Sequence, residues 1–489
     1  MVSMAESLER LQDLASSPVV SRVASAFVDA GYELALVGGP VRDAMLGRHV
    51  SDLDFTSNAT PDQILAVLKP IADAWWDVGR EFGTIGAKVS ARKADGAADA
   101  GERESGTVEI TTYRADAYDG VTRKPVVAFG DTLEGDLRRR DFTVNSMALR
   151  VPQVTLVDPS GGVEDLVAGV LRTPSSPETS FGDDPLRMLR GARFASQLGF
   201  RPDDDVVAAM EAMRDTIGIV SAERIQTELS KLLLTDSPRA GIELLVDTGL
   251  ADIVLPEVPA LRLEPDEHHH HKDVYQHSLT VLEQAIGYEK ERHPGDEPDL
   301  VLRWAALLHD IGKPATKRTG PGAAVTFYHH DIVGSKLAKK RLTALRYDGD
   351  TIKSVARLVE LHMRFFGYSE GVWADSAVRR YVRDAGPLLE RLHMLVRADV
   401  TTRNRRKADR LGFAYDDLEA RIAELQEQEE LGAVRPDLDG NRIQEVLGIK
   451  PGREVGEAYR WLLELRLDEG PLGEEEAERR LLAWWSTRS

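Results

Sequence analysis

The chain has 489 residues, no cysteine, and 81 acidic against 62 basic side chains, for a formal net charge of −19. That length calls for several domains with ample core. The lack of cysteine excludes disulfides and thiolate metal sites and fits a reducing cytoplasm. The acidic balance argues against a surface that coats nucleic acid broadly, so any RNA binding must concentrate its arginines in a local groove. Hydrophobic content of 42% is ordinary for a soluble protein. No apolar run is long enough to span a membrane, and no charged-then-apolar leader opens the chain.

Two amphipathic helices are expected over residues 1–30, with Leu8, Leu11 and Leu14, then Val23, Phe27 and Val28, facing inward. Leu34–Val37 reads as a short buried strand. Gly38 and Gly39 permit a sharp turn and close approach of a ligand, and Pro40 suits the first turn of a helix that stops at Gly47. Phosphate fits over such a turn, where free N–H groups and the helix dipole point. The chain returns as a strand carrying Asp52 and Asp54. Residues two apart on a strand share a face, and two carboxylates side by side need a counter-ion. Two divalent metals bridging a triphosphate and an attacking hydroxyl would supply it. An ordinary strand–turn–helix with an acidic surface strand is the alternative.

Thr60-Pro61-Asp62 starts a helix to about Leu68. Asp77–Val89 reads as strand–turn–strand, and residues 90–106 as an exposed flexible loop. Thr107–Tyr113 alternates as a strand, with Glu109 either a third metal carboxylate or an ordinary surface residue. Arg139, Arg140 and Asp141 precede an expected helical run; arginine matches triphosphate oxygens through bidentate hydrogen bonds. Asp141 and Asn145, one helical turn apart, suit a ribose or the substrate. Helical periodicity then covers 180–250.

Within it, Asp184 and Arg187 are three apart on an expected helix and share a face. A carboxylate beside a guanidinium offers an acceptor next to donors. Cytosine and adenine present an amino donor beside a ring-nitrogen acceptor, and uracil and guanine the reverse. One Asp–Arg pair is thus able to accept CTP and ATP and reject UTP and GTP without a template, although the spacing alone equally describes a surface ion pair. Arg190 and Arg193 follow and join the nucleotide-binding set. Ser221 caps a helix in which Arg224 and Glu228 are expected to pair across one turn, a structural brace.

The run Gly-Gly-x-Val-Arg-Asp-x-x-Leu-Gly followed by Asp-x-Asp resembles the bacterial class II CCA-adding enzymes and poly(A) polymerases, which are polymerase-beta-like nucleotidyltransferases. Arg-Arg-Asp-Phe-Thr-x-Asn-x-Met-Ala at 139–148 resembles the family's second signature. Asp183-Asp184-x-x-Arg187 resembles its base-selecting motif, with Asp183 in place of the commoner Glu. The resemblance implies that Asp52 and Asp54 are catalytic and hold Mg²⁺, and that Gly38, Gly39, Arg42 and Asp43 hold triphosphate and ribose, helped by Arg139 and Arg140. It further implies that Asp184 and Arg187 choose the base, and that a loop near 90–106 assists the final A addition. Gly79-Arg80-Glu81-Phe82-Gly83 departs from the Gly-Arg-Arg-Phe-Arg run of poly(A) polymerases, which favours CCA addition.

Beyond about residue 260 histidines accumulate: His268–His271, His277, His309-Asp310, His329-His330 and His362, then Asp399. All but His329 and His330 fall in segments that read as helices. Imidazoles with carboxylates and no thiolate suit a divalent transition metal. The ordered set resembles the HD phosphohydrolase superfamily, which implies His277, His309, Asp310 and Asp399 as ligands, with His330 and His362 as the extra histidines of two-metal versions. The run 268–271 is given no role. Thr401–Lys407 is the densest basic cluster and a candidate phosphate contact, as is Lys450 before a helix at 455–464.

The expected fold is therefore α+β: a head with a small mixed β-sheet (1–160), a helical neck and body (161–260), an HD region (261–410) and a helical tail (411–489). The expected function is cytoplasmic addition of C, C and A to the tRNA 3′ end from CTP and ATP, releasing pyrophosphate, with no membrane and no protein partner implied. The alternatives are poly(A) synthesis, CC-only or A-only addition, or an HD phosphohydrolase whose head merely binds RNA.

Overall fold

Alternating side chains decide which face of the main sheet is core. The computed structural model describes residues 4–488 except 51, 93–102, 118–125, 130–131, 263–272, 321–324, 366–367, 369–372, 401–404 and 430–434. It divides into two compact units, Met1–Val254 and Leu255–Ser489.

The first unit opens with helices α1 (Met4–Ser16) and α2 (Pro18–Asp29), strand β1 (Leu34–Val37), α3 (Gly39–Met45), β2 (Leu53–Ser57), α4 (Pro61–Leu68), β3 (Ala72–Trp76), β4 (Thr84–Arg92) and β5 (Arg103–Thr112). A short ribbon of β6 (Arg114–Ala117) and β7 (Val126–Phe129), helix α5 (Leu133–Arg138), β8 (Ala148–Arg150) and β9 (Thr155–Val157) complete the head. The seven-stranded sheet runs β3-β4-β5-β2-β1-β8-β9. Only β2–β5 pairs parallel; the other neighbours are antiparallel, so the sheet is mixed as expected. Phe55, Ile85, Ala87, Val89, Val108 and Ile110 are buried on the face that α2 and α4 cover. With a period of two, Asp54, Thr84, Gly86, Lys88, Thr107 and Glu109 fall on the opposite face.

Several expectations need correction. The segment 90–106 is not all loop: Ser90 pairs with Ser105, Ala91 with Glu104 and Arg92 with Arg103, so the connection shrinks to 93–102, outside the described residues. The first strand of the 77–89 element lies earlier, at Ala72–Trp76, and residues 80–82 form a 3₁₀ turn. The run after Asp141 is a 3₁₀ turn (Thr143–Asn145) leading into β8, not a helix. Leu8 and Val28 face solvent, and Ser7, Leu11 and Ala15 make the inner stripe of α1. The α4 start is as read: Thr60 and Gln63 form a reciprocal capping box.

Helices α6 (Gly162–Ala168), α7 (Pro177–Asp183), α8 (Leu186–Leu198), α9 (Asp204–Met213), α10 (Ala222–Leu233), α11 (Arg239–Asp247) and α12 (Ala251–Val254) finish the unit. Helix α8 is buried along most of its length and packs against α10 and α11.

Among the described residues, the regular structure of the second unit is helical apart from a two-residue strand pair at 318–319 and 325–326. Its first helices are α13 (Val274–Arg292), α14 (Leu300–Leu308), α15 (Lys313–Thr316), α16 (His330–Ala344) and α17 (Gly349–Leu361), then α18 (Asp375–Ala385), α19 (Leu389–Ala398) and α20 (Arg405–Glu429). Asp273 and Asp299 cap α13 and α14. A last cluster joins α21 (Gly440–Leu447), α22 (Arg453–Glu469) and α23 (Glu474–Ser486) around Leu438, Ile443, Ala458, Leu462, Ala477 and Leu481.

Candidate functional site

Gly38 adopts φ 71° and ψ −125° at the start of α3, a conformation that only glycine holds at no cost. It delivers α3 against a cavity of about 530 Å³ in the first unit. Gly38, Gly39, Arg42, Asp43, Asp52, Asp54, Arg140, Asp141, Asn145, Asp184, Arg187, Arg190 and Arg193 all line it. Most of the residues singled out from the sequence thus meet in one place. Arg139 and Glu109 are not among its lining residues. Arg139 hydrogen-bonds Asp136, and its carbonyl accepts from Arg187. Glu109 is exposed on β5, in register with Asp54 on β2.

Asp52 lies one residue before β2 and Asp54 within it. Burial raises the Asp54 pKa, and the charges of Glu109 and Asp52 raise it further, against the opposing pull of Arg140. A carboxylate so placed calls for a cation, and acid oxygen donors suit Mg²⁺. Arg140 donates to Asp136 at 3.0 Å, while its buried Nε has no hydrogen-bond partner among the described residues. A buried donor of that kind at the cavity wall fits a phosphate oxygen.

Arg42 is buried. It grips Asp43 with two hydrogen bonds, at 2.9 and 2.8 Å, and donates to Asn145 Oδ1 at 2.6 Å. Asn145 Nδ2 donates to Asp141, which also accepts from Arg190 at 2.7 Å. Burial opposes charge on Asp141, but Arg190, Asn145 and the Phe142 amide outweigh it and hold the carboxyl well below its usual range.

The expected Asp184–Arg187 helix face is corrected. Asp184 sits between α7 and α8 in extended backbone, where its Oδ1 accepts from the Leu186 amide. Its Oδ2 accepts from Arg224 at 2.7 Å. Arg187 donates to the Ser180 hydroxyl and to the Arg139 carbonyl. Glu228, expected to pair with Arg224, instead accepts from Arg193 at 2.7 Å. Arg224, Phe194 and Gln197 line the cavity and were not picked out for it. Phe194 could have been found, since it lies four residues after Arg190 on α8, and its ring is flanked by Arg42, Arg190 and Arg193 at 5.3, 5.5 and 4.1 Å.

A second centre lies in the other unit. His277, His309 and Asp399 form one group of converging ligand atoms, and Asp310, His330 and His362 another. His330 begins α16, so it too is helical, contrary to expectation. His309, His330 and His362 each place Nδ1 within 2.6–2.8 Å of a backbone carbonyl three residues earlier. A carbonyl only accepts, so Nδ1 carries a proton and Nε2 is left as the atom that faces the centre. Asp310 bridges the groups, with Oδ2 3.3 Å from His309 Nε2 and Oδ1 3.3 Å from His330 Nε2. Burial opposes charge on His309, yet Asp310 and Asp399 push it up to about 10, whereas burial and the neighbouring His309 push His362 down to about 4. The centre is built for positive charge, and this donor set fits a divalent transition metal. The run 268–271 and residues 401–404 of the basic cluster lie outside the described residues, while Arg406 is exposed. Among the described residues no helix is long and apolar enough to cross a membrane.

Three family descriptions fit successive parts of the chain: a poly A polymerase head domain over 34–172, a probable RNA and SrmB-binding site of polymerase A over 199–261, and an HD domain over 274–404. The A-adding tRNA nucleotidyltransferase of Deinococcus radiodurans is 36% identical over 462 residues, covering 92% of this chain and 95% of that protein. The multifunctional CCA protein of Pseudomonas fluorescens is 36% identical over 318 residues, 63% of this chain and 70% of its own. In fold, the Bacillus stearothermophilus CCA-adding enzyme solved in complex with CTP superposes with a TM-score of 0.67 at 23% identity, over 96% of this chain and 98% of that one.

Proposed function

Because the chain belongs to the tRNA nucleotidyltransferase and poly(A) polymerase family, whose members use divalent metal, we propose that it adds C, C and A to the 3′ end of tRNA. CTP and ATP are the donors and pyrophosphate leaves. The observation that carries this reading is the single cavity shared by the carboxylates Asp52 and Asp54 and by the pair Asp184 and Arg187. Chemistry and choice of base then fall on one bound nucleotide. Asp52, Asp54 and Glu109 would hold Mg²⁺, which when bound offsets charge on the triphosphate and favours the ionised acceptor hydroxyl. Arg42, Arg140, Arg190 and Arg193 neutralise and orient the triphosphate and ribose side of the nucleotide, with Asp43, Asp141 and Asn145 fixing their geometry. Asp184 accepts the amino group of cytosine or adenine, and Arg187 donates to the ring nitrogen beside it. Its tRNA substrate puts this activity in the cytoplasm.

Incubation with tRNA lacking its 3′ end and each labelled nucleotide tests the proposal. Two C and one A support it; a long A tract, or no addition, overturns it. One specific observation favours a second reading, A-only addition: the relative matched over nearly its whole length carries that name. Incorporation of A into tRNA ending in CC, with no C added to the shorter tRNA, would establish that reading.

For the second unit we propose metal-dependent phosphohydrolysis. His277, His309, Asp310 and Asp399, with His330 and His362, would hold a divalent transition metal, which when bound supplies Lewis acidity toward a phosphoester.

A further inference from the structure

We propose that the part of the polar sheet face built around Trp76 and Lys88 binds the 3′-terminal strand of the acceptor RNA and stacks one of its bases. The inference rests on the nucleotidyl-transfer reading of Asp52 and Asp54.

Strand register makes the argument. Trp76 pairs with Gly86, Gly86 with Glu109, and Glu109 with Asp54, one continuous row across β3, β4, β5 and β2. The next row holds Ala74, Lys88 and Thr107. Paired residues share a face, so Trp76 and Lys88 stand on the same face as the carboxylates, opposite the one α2 and α4 cover. Trp75, one residue earlier, points the other way and lies under Lys69. At about 4.8 Å per strand, Trp76 is roughly 10 Å from Glu109, within reach of the last two nucleotides of a strand ending there.

Gly86 explains the posture of the indole. A Cβ built on Gly86 would fall under 3.0 Å from three atoms of the Trp76 ring system. The indole therefore occupies the space that any other residue's side chain would fill. Glycine inside a strand weakens it and marks a close approach, and here the approaching group is Trp76. The ring is half-buried and Lys88 is exposed beside it. A fixed aromatic face next to a cation is how proteins hold single-stranded nucleic acid, by base stacking and phosphate contact.

Topology supplies the direction. The nucleotide cavity opens beside Asp54 toward α3 and α8, with Gly38, Arg42 and Arg187 in its wall. The strands β5, β4 and β3 lie on the other side of β2 from β1. Phosphoryl transfer places the attacking and leaving oxygens roughly in line. With the triphosphate in the cavity, the acceptor hydroxyl arrives over Glu109, along the rows that hold Trp76 and Lys88.

Steady-state addition to tRNA lacking its 3′ end, with KM measured separately for tRNA and for CTP, tests this. Trp76→Ala should raise KM for tRNA about tenfold, as loss of one base stack does, and leave KM for CTP within about twofold. Trp76→Phe, which keeps a ring, should stay within about threefold of wild type. Lys88→Ala, a change at an exposed side chain that does not threaten folding, should raise KM for tRNA and reduce its salt dependence. The proposal is overturned by a wild-type KM for tRNA in folded Trp76→Ala, by equal rises in both KM values, or by Lys88→Ala at wild-type KM and salt slope. Asp54→Ala separates the two layers. If it still adds nucleotides, the transfer reading itself fails; if it is inert while Trp76→Ala behaves as wild type, only the present inference falls.

Discussion

Asp184 accepts a 2.7 Å hydrogen bond from Arg224, forty residues away along the chain. Its other oxygen accepts from the Leu186 amide, so both carboxylate oxygens have set directions. Arg187 is likewise oriented by Ser180 and by the Arg139 carbonyl. The two groups proposed to choose the base thus do not hold each other; each is aimed by a separate partner. A hydrogen bond to a charged group contributes about 1.5–3 kcal/mol. Arg224 is half exposed, so the lower end applies, and Arg224→Ala should cut kcat/KM for CTP and ATP about tenfold. Discrimination against UTP and GTP should fall with it, because a wandering carboxylate accepts from more than one direction. Single-nucleotide incorporation with all four triphosphates measures this, and unchanged discrimination would show that Arg224 only braces the helices.

Asp54 and Glu109 stand side by side on the only parallel strand pair of the main sheet. Loss of a metal carboxylate removes several kcal/mol of transition-state stabilisation. Asp54→Asn should therefore lower addition at least about a thousandfold. Glu109→Gln should cost about ten- to a hundredfold, because its exposed carboxylate is the weaker ligand. Rates at saturating tRNA and CTP over a Mg²⁺ titration decide the point. If Glu109→Gln shows wild-type rate and Mg²⁺ dependence, Glu109 is a surface residue.

Residues whose meaning is local were legible in the sequence. Gly38, Pro40, Asp52 and Asp54 declare a turn, a helix start and a pair of carboxylates within a few positions, and all four line the cavity, although Asp52 falls one residue before the strand that was expected to carry it. The ends of the β4–β5 hairpin were not legible. Ser90, Arg92, Arg103, Glu104 and Ser105 are polar, broken only by Ala91, and only their pairing across the connection makes them strand. Arg224 was misread for a related reason. Its helical neighbour Glu228 is a sound partner by spacing, but Arg193 takes that carboxylate from another helix, and spacing within one helix carries no record of it. Asp141 and Asn145 do meet, at 3.1 Å, yet through a 3₁₀ turn instead of the expected helix.

Asp141 ties α8 to the segment after α5 through Arg190. Removing one partner of a buried pair costs about 3–5 kcal/mol, and with Arg190 one-third exposed about 2 kcal/mol is expected for Asp141→Asn. The pH dependence has a definite sign. The folded-state pKa of Asp141 is depressed, so its contribution is fully present above the unfolded carboxylate value of about 3.9 and is lost as pH falls through the lower folded value. Urea unfolding of wild type and Asp141→Asn should differ by a constant amount from pH 7 down to about 5, then converge in stronger acid. A gap that widens toward acid would contradict the ion pair.

Asp310 supplies one oxygen to each of two imidazole groups, which makes it the shared member of the second centre. Beside Asp310, one side has His277, His309 and Asp399 and the other His330 and His362, so two ions per chain are expected when Mn²⁺ or Ni²⁺ is added. Elemental analysis after gel filtration counts them. His362→Ala should leave one ion, held by His277, His309 and Asp399 with Asp310. His309→Ala should lose the ion on that side and abolish hydrolysis of a simple phosphodiester, while nucleotide addition stays within about twofold, since its groups belong to a separate compact unit and share no ligand with this centre. Loss of addition in folded His309→Ala would mean that the two reactions are not separate, and retention of both ions would remove His309 from the ligand set.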